Sequence, residues 1–450
     1  MAMPGENFEL QSTVVPGPSL PPTPGDEVRG FVGIDEIQEE LRAQPGEFDA
    51  PPSGHAWRAR MYLAAIYGSM ALCGWNDGSS GPLIPKIQAS YHVGFVLVSL
   101  IFVLATVGFI SGAFINMHFA ERMGLGRMVV IGSCFPIAAY AIQAPAPPFP
   151  LFVMSFILSG MGYSILVAQA NVYVVSLRNS EVYMGMLHAS YGLGALTSPL
   201  VATQFAQMPR HWSFHYLCSF ALAILNVINM YLVFRFRTQD ELLTLIGENV
   251  GEKNTTSDRS NFRQILSIRA VHLLSIFAML YVGVEVTMGG WITTYLIDVR
   301  GGGPSAGYIS SGFFGGMMVG RLSLIWLNKK IGENRAIYLY AGLAIGLEFV
   351  VWFVPSFVGG GVAVSCIGVV LGPIYPIIMN RVGRIIPRWL HSGSIGWVAG
   401  FGQAGSAVLP FISGAIASKS GIRALQPFII SMMSVLPVVW FFTPISRKID

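Results

Sequence analysis

AERMGLGR, Ala120 to Arg127, and NKKIGENR, Asn328 to Arg335, are the stretches on which the fold of this chain turns. Each is a short basic segment between long apolar ones, and each has a Gly three residues before an Arg. At an offset of 208, Gly124 falls on Gly332 and Arg127 on Arg335. The same offset puts Gly112 on Gly320, Gly81 on Gly289 and Asp77 on Glu285. An offset of 211 puts Gly185, Gly194 and Pro199 on Gly396, Gly405 and Pro410, as a small difference in loop length would. Glycine is common here, so one match means little. Matched position, spacing and segment together indicate a duplicated unit.

Only 11% of the 450 residues are charged and 53% are hydrophobic, with a mean hydropathy of +0.58. A soluble chain carries about 25% charged residues, so most of this surface faces lipid. A bilayer core needs about 20 apolar residues per helix. Segments of that kind lie near 60–85, 93–118, 128–144, 150–175, 182–206 and 213–235, and again near 269–298, 305–327, 336–355, 358–382, 391–418 and 424–445. Period-2 alternation is absent, which excludes a lipid-facing β-barrel. The expected fold is an all-α polytopic membrane protein of 12 transmembrane helices in two pseudo-symmetric six-helix bundles. An even number of spans per half gives repeats of the same orientation, related by an axis along the membrane normal. The predicted units are a disordered tail (1–56), a first bundle (57–236), a polar linker (237–268) and a second bundle (269–450).

The Lys and Arg residues fall mostly on one side. Arg122, Arg127, Arg178, Arg235, Arg237, Lys329, Lys330, Arg335, Arg381 and Arg384 share it with the flanks Arg58, Arg60, Arg447 and Lys448. The other side keeps Lys86, Arg210, Arg300, Lys419 and Arg423. That bias places both termini in the cytoplasm, and Asn254-Thr-Thr in the linker stays unglycosylated. The reading puts the protein in the plasma membrane rather than an internal one, working as a monomer.

The net charge of +4 is small and the basic residues form no stripe, so nucleic acid is not a partner. Cys73, Cys134, Cys218 and Cys366 lie far apart in apolar segments and read as buried small hydrophobes. Residues 1–53 are Pro-rich and acidic, without the apolar core of a signal peptide. FVGIDEIQEELRA within them suggests a short amphipathic helix in a solvated tail. No HExxH, GxSxG or phosphate-cradling GK[ST] loop occurs, and nothing calls for a cofactor or a metal. His211 and His215, four apart on an outer loop, lack a third ligand.

The informative residues are charges inside the spans. Asp77 lies 17 residues beyond Arg60, and Glu285 lies 16 beyond Arg269. A carboxylate at the centre of a span costs on the order of 3 kcal/mol. Such a group faces an interior cavity and is often protonated, which makes it a candidate for proton coupling or solute binding. A neutral structural acid is the alternative. Gly78, Gly81, Pro82 and Pro85 are expected to soften or break the helix just beyond Asp77. Asn76, Gln169, Asn171, Tyr173, Trp291, Tyr375, Asn380 and Gln403 are the polar or aromatic candidates for the cavity. Each reads equally well as helix–helix contact. Gln169 and Tyr173 share a face and Asn171 points elsewhere. His188 reads as a proton relay or, with more weight, a packed histidine. Arg321 either pairs with an acid or anion or snorkels to the surface, and Glu348 is expected to snorkel.

These strings resemble the major facilitator superfamily over nearly all of 57–447, in its fucose-permease-like branch and fungal relatives. The carrying residues are GWNDGSSGPLIP (74–85), HASYGLGALTSPL (188–200), YVGVEVTMGGWITTYL (281–296), GPIYPIIMN (372–380) and GQAGSAVLP (402–410). The resemblance implies that Glu121, Arg122, Gly124 and Arg127 form a cytoplasmic gating loop, although Glu replaces the usual Asp. Lys329, Lys330, Gly332 and Arg335 form its second-half counterpart. It implies a secondary transporter working by alternating access, not an enzyme. Its partners are a small organic solute, protons and the lipid bilayer. Proton-coupled uptake of a sugar-like solute leads. Proton-driven efflux of a metabolite or drug is the alternative, raised by the Gly185, Gly194 and Pro199 pattern. A non-transporting receptor ranks last.

Overall fold

The computed structural model describes residues 53–248, 258–387 and 390–444, and every regular element among them is a helix. The predicted tail with its amphipathic stretch, Asn254 and the Arg447–Lys448 pair lie outside the described residues. The first half contains α1 (Ser53–Tyr91), α2 (Phe95–Met123), α3 (Leu125–Gln143), α4 (Phe149–Val175), α5 (Ser180–Ala206) and α6 (His215–Phe234). Two short helices, α7 (Gln239–Thr244) and α8 (Asp258–Ser267), lie in what reads as a polar linker. The second half contains α9 (Arg269–Arg300), α10 (Tyr308–Ser323), α11 (Ile325–Ile331), α12 (Glu333–Phe353), α13 (Phe357–Leu371), α14 (Ile374–Ile385), α15 (His391–Ser420) and α16 (Leu425–Phe441).

Local chemistry explains the departures from the expected spans. Thr238 and Glu241 form a capping box that starts α7: Glu241 N donates to Thr238 Oγ1, and Thr238 N donates to Glu241 Oε2. Pro373 and Pro376 remove backbone donors, and the tenth span divides there into α13 and α14. Pro82 and Pro85 do not break α1, which continues to Tyr91. Neighbouring helices tolerate proline within a span in this way.

The duplication is visible in the packing. α1 packs on α5 as α9 packs on α15, α2 on α4 as α10 on α13, and α3 on α6 as α12 on α16. Matched glycines touch matched carbonyls. A Cβ on Gly194 would lie 1.8 Å from Ala71 O, and one on Gly405 would lie 2.0 Å from Met279 O. Gly112 and Gly320 press in the same way on Met161 O and Val369 O. Such contacts need glycine because helices associate in lipid through close backbone approach. The two basic stretches match as well: Gly124 (φ 76°) and Gly332 (φ 82°) both turn the chain between helices in a conformation that side chains avoid.

Among the described residues, nine helical segments are long and apolar enough to cross a bilayer on their own. The remaining spans are α1, α5 and α10. These helices also carry much of the contact between halves, through α1 on α9 and α5 on α10, with α2 on α15 completing it. A span that faces protein instead of lipid needs less hydropathy.

The two ends of the bundle differ. At the end that holds Arg122, Arg178 and Arg237, Gly126 N donates to Arg237 O at 2.8 Å and Gln239 Nε2 to Ser176 Oγ at 2.6 Å. Arg381 donates to Asn334 Oδ1 and to Pro444 O, and Arg384 pairs with Glu333 at 2.9 Å. Each of these contacts stays within one half. At the opposite end the halves interlock. A Cβ on Gly81 would lie 2.2 Å from Gly289 O, and one on Gly307 2.3 Å from Thr203 Oγ1. Gln204 also donates to Tyr308 there. At the basic end a Cβ on Gly185, Gly383 or Gly396 would meet open space. Among the described residues the halves are therefore sealed at the far end and parted at the basic end.

Two expectations are corrected. Glu348 does not snorkel: it is fully buried, and Gln426, with its amide turned to donate, reaches both carboxylate oxygens at 3.1 Å. Pairing inside the bundle replaces the surface. Of the cysteines only Cys73 is buried; Cys134 and Cys366 are exposed on the outside of their helices, and all four are free.

Candidate functional site

α1 and α9, the first span of each half, bring Asp77 and Glu285 to the cleft between the halves. The two carboxyl groups lie within electrostatic reach of one another. Their surroundings differ. Asp77 is exposed to the cleft and held by neutral donors: Tyr191 Oη gives 2.7 Å to Oδ2, and Asn76 Nδ2 gives 3.0 Å to Oδ1. Asn76 Oδ1 in turn accepts from Tyr140 Oη at 3.1 Å, and Tyr140 meets Tyr163 at 2.6 Å. A hydrogen-bonded chain thus runs from Asp77 into the interior of the first bundle. A small pocket lined by Asn76, Ser79, Tyr140 and Tyr216 lies beside that chain.

Glu285 faces a cation. Arg321 on α10 places Nη2 3.8 Å from Glu285 Oε1, and the pair is mostly shielded from solvent. Arg321 Nε donates to Gly372 O at 3.4 Å. Tyr281, one turn before Glu285, lies against both charges, donates to Leu371 O at 3.1 Å and sits 6.3 Å from the ring of Tyr375. From α5, Tyr191 reaches Asp77, Glu285 and Arg321 electrostatically, and His188 faces Arg321. The structure therefore assembles Asp77, Asn76, His188, Glu285 and Tyr375 in one place, together with Arg321, Tyr191 and Tyr281. Tyr191 was not singled out from the sequence. Its signal was spacing, three residues beyond His188 and so on the same helical face.

Other candidates lie elsewhere. Gln169 donates to Asn116 Oδ1 at 2.6 Å within the first bundle. Asn171 bonds back to Val167 O in its own helix. Tyr173 is buried against Tyr62 and Phe234. Trp291 is fully buried, donates to Pro410 O at 3.1 Å and packs on Phe95 and Phe102 of α2, as part of the far-end seal. Gln403 is bonded by Ser406, whose hydroxyl meets Thr106 across the halves at 3.3 Å. Asn380 sits at the basic end and donates to Glu333 at 2.9 Å.

Glu121, Arg122 and Arg127 flank Gly124 in exposed positions, as Lys329, Lys330 and Arg335 flank Gly332. Among the described residues Glu121 and Arg122 form no ion pair, and Lys330 lies over the Trp326 ring at 5.0 Å. His215 is not on an outer loop. It is fully buried at the start of α6, stacks on Trp75 and bonds Ser79 at 2.8 Å. No group of metal-ligating side chains occurs among the described residues.

The comparisons with known proteins agree with this architecture. A family model described as Major Facilitator Superfamily matches residues 66–388. The chain is 26% identical over 444 residues to Bypass of stop codon protein 6 of Saccharomyces cerevisiae, covering 91% of this chain and 87% of that one. It is 21% identical to the glucose/mannose transporter GlcP of Bacillus subtilis, covering 75% of this chain and 83% of the relative. Among solved structures, a D-xylose-proton symporter superposes with a TM-score of 0.72 over 86% of this chain and 98% of the other, at 12% identity. With its motifs of the fucose-permease-like branch, this chain belongs to the Major Facilitator Superfamily, a family of membrane transporters rather than enzymes.

Proposed function

We propose that the chain moves a sugar-like solute across its membrane by alternating access, coupled to protons, with uptake as the direction. The basic end faces the cytoplasm in this reading, and both termini lie there. The observation that carries it is the pair of matched acids, Asp77 and Glu285, facing one cleft that is sealed at the far end and parted at the basic end. An acid that reaches the cleft can exchange a proton with whichever side is open. An acid hydrogen-bonded to the walls can pass the consequence to the packing of the halves.

The sugar transporter among the relatives supports the solute class. The 120–127 and 328–335 stretches act as the cytoplasmic gate. Their charges are exposed while that end is parted, as a gate that closes through ion pairs would be.

The test is uptake into proteoliposomes with an imposed pH gradient, acidic outside, over a panel of labelled sugars. Uptake should depend on the gradient and collapse when a protonophore removes it. If Asp77→Asn and Glu285→Gln both retain full gradient-driven uptake, the coupling role is wrong. If no gradient drives any flux, the transport reading itself fails.

A further inference from the structure

We infer that Arg321 anchors a carboxylate, so that the solute is an organic acid with hydroxyl groups, a sugar acid rather than a neutral sugar. This rests on the proposed reading of Glu285 as a proton-binding group.

The argument starts from the cost of the guanidinium. Arg321 lies deep in the bundle, where an uncompensated charge is expensive, and it cannot shed its proton. Its only carboxylate neighbour among the described residues is Glu285, and the pair is loose. Nη2 lies 3.8 Å from Oε1, beyond hydrogen-bond distance, and the 3.4 Å bond from Nε to Gly372 O is long. Arg321 also lies against Tyr281 and keeps 17% of its side chain exposed, so a solute in the cleft can reach it. A buried ion pair contributes little to stability over an apolar replacement. A carrier of neutral sugars could line this wall with amides and hydroxyls, as Asn76 and Tyr375 already do nearby. A planar fork of donors suits a carboxylate.

Charge balance selects the solute. The charged and titratable groups facing this point are Asp77 on α1, His188 and Tyr191 on α5, Tyr281 and Glu285 on α9, and Tyr375 on α14. With both acids ionised and His188 neutral, they and Arg321 sum to one negative charge, which repels an anion. When Glu285 takes a proton, Arg321 loses its counterion. With Asp77 ionised the sum is then zero, so an anion is no longer repelled; a neutral sugar leaves Arg321 without an adjacent carboxylate, whereas a carboxylate takes the place of Glu285 beside it. Proton and acid therefore enter together, and each binds poorly without the other.

The experiment is thermal unfolding of the full purified chain in nanodiscs, read by tryptophan fluorescence. Sodium gluconate, glucuronate, lactate and succinate are each compared with glucose and with sodium chloride, at acidic and at neutral pH. A ligand of the folded state raises the transition by mass action. At least one carboxylate should raise the wild-type transition, more at acidic pH, while glucose and chloride leave it unmoved. Glu285→Gln should be stabilised at both pH values. Arg321→Gln should weaken the apparent affinity more than about tenfold, with Arg321→Lys partly retaining it. The proposal is overturned if no carboxylate moves the wild type, or if the shift survives in Arg321→Gln. Should Arg321→Gln fail to fold, a shift in Glu285→Gln that still needs acidic pH overturns it equally. The wider reading is separable: glucose uptake driven by a pH gradient and untouched by Arg321→Gln keeps the transporter and removes the acid anchor. Arg321-dependent binding of gluconate without any driven flux does the reverse.

Discussion

The two halves of this molecule share a skeleton and differ in chemistry. Gly194 presses on Ala71 O as Gly405 presses on Met279 O, and Gly124 and Gly332 both turn the chain at positive φ. At the matched acids the likeness ends. Asp77 is satisfied by the neutral donors Tyr191 and Asn76, whereas Glu285 lies beside the cation Arg321 as well as Tyr281. Backbone packing repeats because the helices must approach closely wherever they cross, and that demand is the same in both halves. In the function proposed above the acids diverge because the two walls of the cleft meet different faces of a solute. An acid held by neutral donors can gain or lose a proton with its hydrogen bonds largely kept. An acid paired with a fixed cation takes a proton readily only when another anion replaces it, because protonation alone strands the partner.

The largest expected effect is on transport. Asp77→Asn keeps an oxygen that can accept from Tyr191, so the fold should stand while gradient-driven uptake falls by at least about a hundredfold, the lower range for a lost proton-transfer group. Flux with and without the gradient measures it. Normal coupling in Asp77→Asn would make Asp77 a structural acid and leave coupling to the Glu285 side.

Next come the shared contacts. Gly194→Ala and Gly405→Ala each drive a Cβ into a backbone carbonyl that no side-chain rotation can clear. Overpacking of this kind costs about 1–3 kcal/mol. The two substitutions should lower the unfolding temperature by similar amounts, and a large inequality would break the claim that the halves pack alike.

The skeleton was legible in the sequence because glycine spacing, span length and basic loops are one-dimensional signals. Asp77 and Glu285 were legible for the same reason, as lone charges inside apolar runs. What lies around them was not. In a soluble helix the polar face shows which side is buried, but here both the lipid face and the packed face are apolar, and that contrast vanishes. Gln169, Tyr173 and Trp291 therefore read equally well as cavity or as helix–helix contact, and the structure shows them bonding or packing inside the protein. Glu348 read as a surface acid because Gln426, its partner, is 78 positions away in another span. Arg321 was ambiguous until Glu285 stood beside it.

A smaller effect separates the acids by stability alone. Asp77→Asn keeps the bond from Tyr191 and gives up the exposed one from Asn76, so it should cost only about 0.5 kcal/mol. Glu285→Gln strands Arg321, and losing one partner of a fully buried pair costs about 3–5 kcal/mol. Water in the cleft reaches this guanidinium, so a loss nearer 1–2 kcal/mol is expected. Chemical unfolding of the two variants side by side measures the gap, and equal losses would erase the distinction between the two environments.

The smallest effect concerns Gly185 and Gly396, matched positions inside α5 and α15 at the parted end. A Cβ on either would meet nothing within 4 Å. Glycine inside a helix is less stable than alanine by about 0.5–1 kcal/mol, and nothing in this conformation requires it at either place. If the proposed alternating access holds, the reason for glycine lies in the closed conformation, in which the basic ends of α5 and α15 approach the opposite half. Gly185→Ala and Gly396→Ala should each raise the unfolding temperature slightly and slow uptake, because the added methyl stabilises the parted state and obstructs closure. Thermal unfolding and initial uptake rates measured on the same preparations read both signs at once. If stability rises and uptake is unchanged, the two positions are free of the gate, and the basic end closes through other residues.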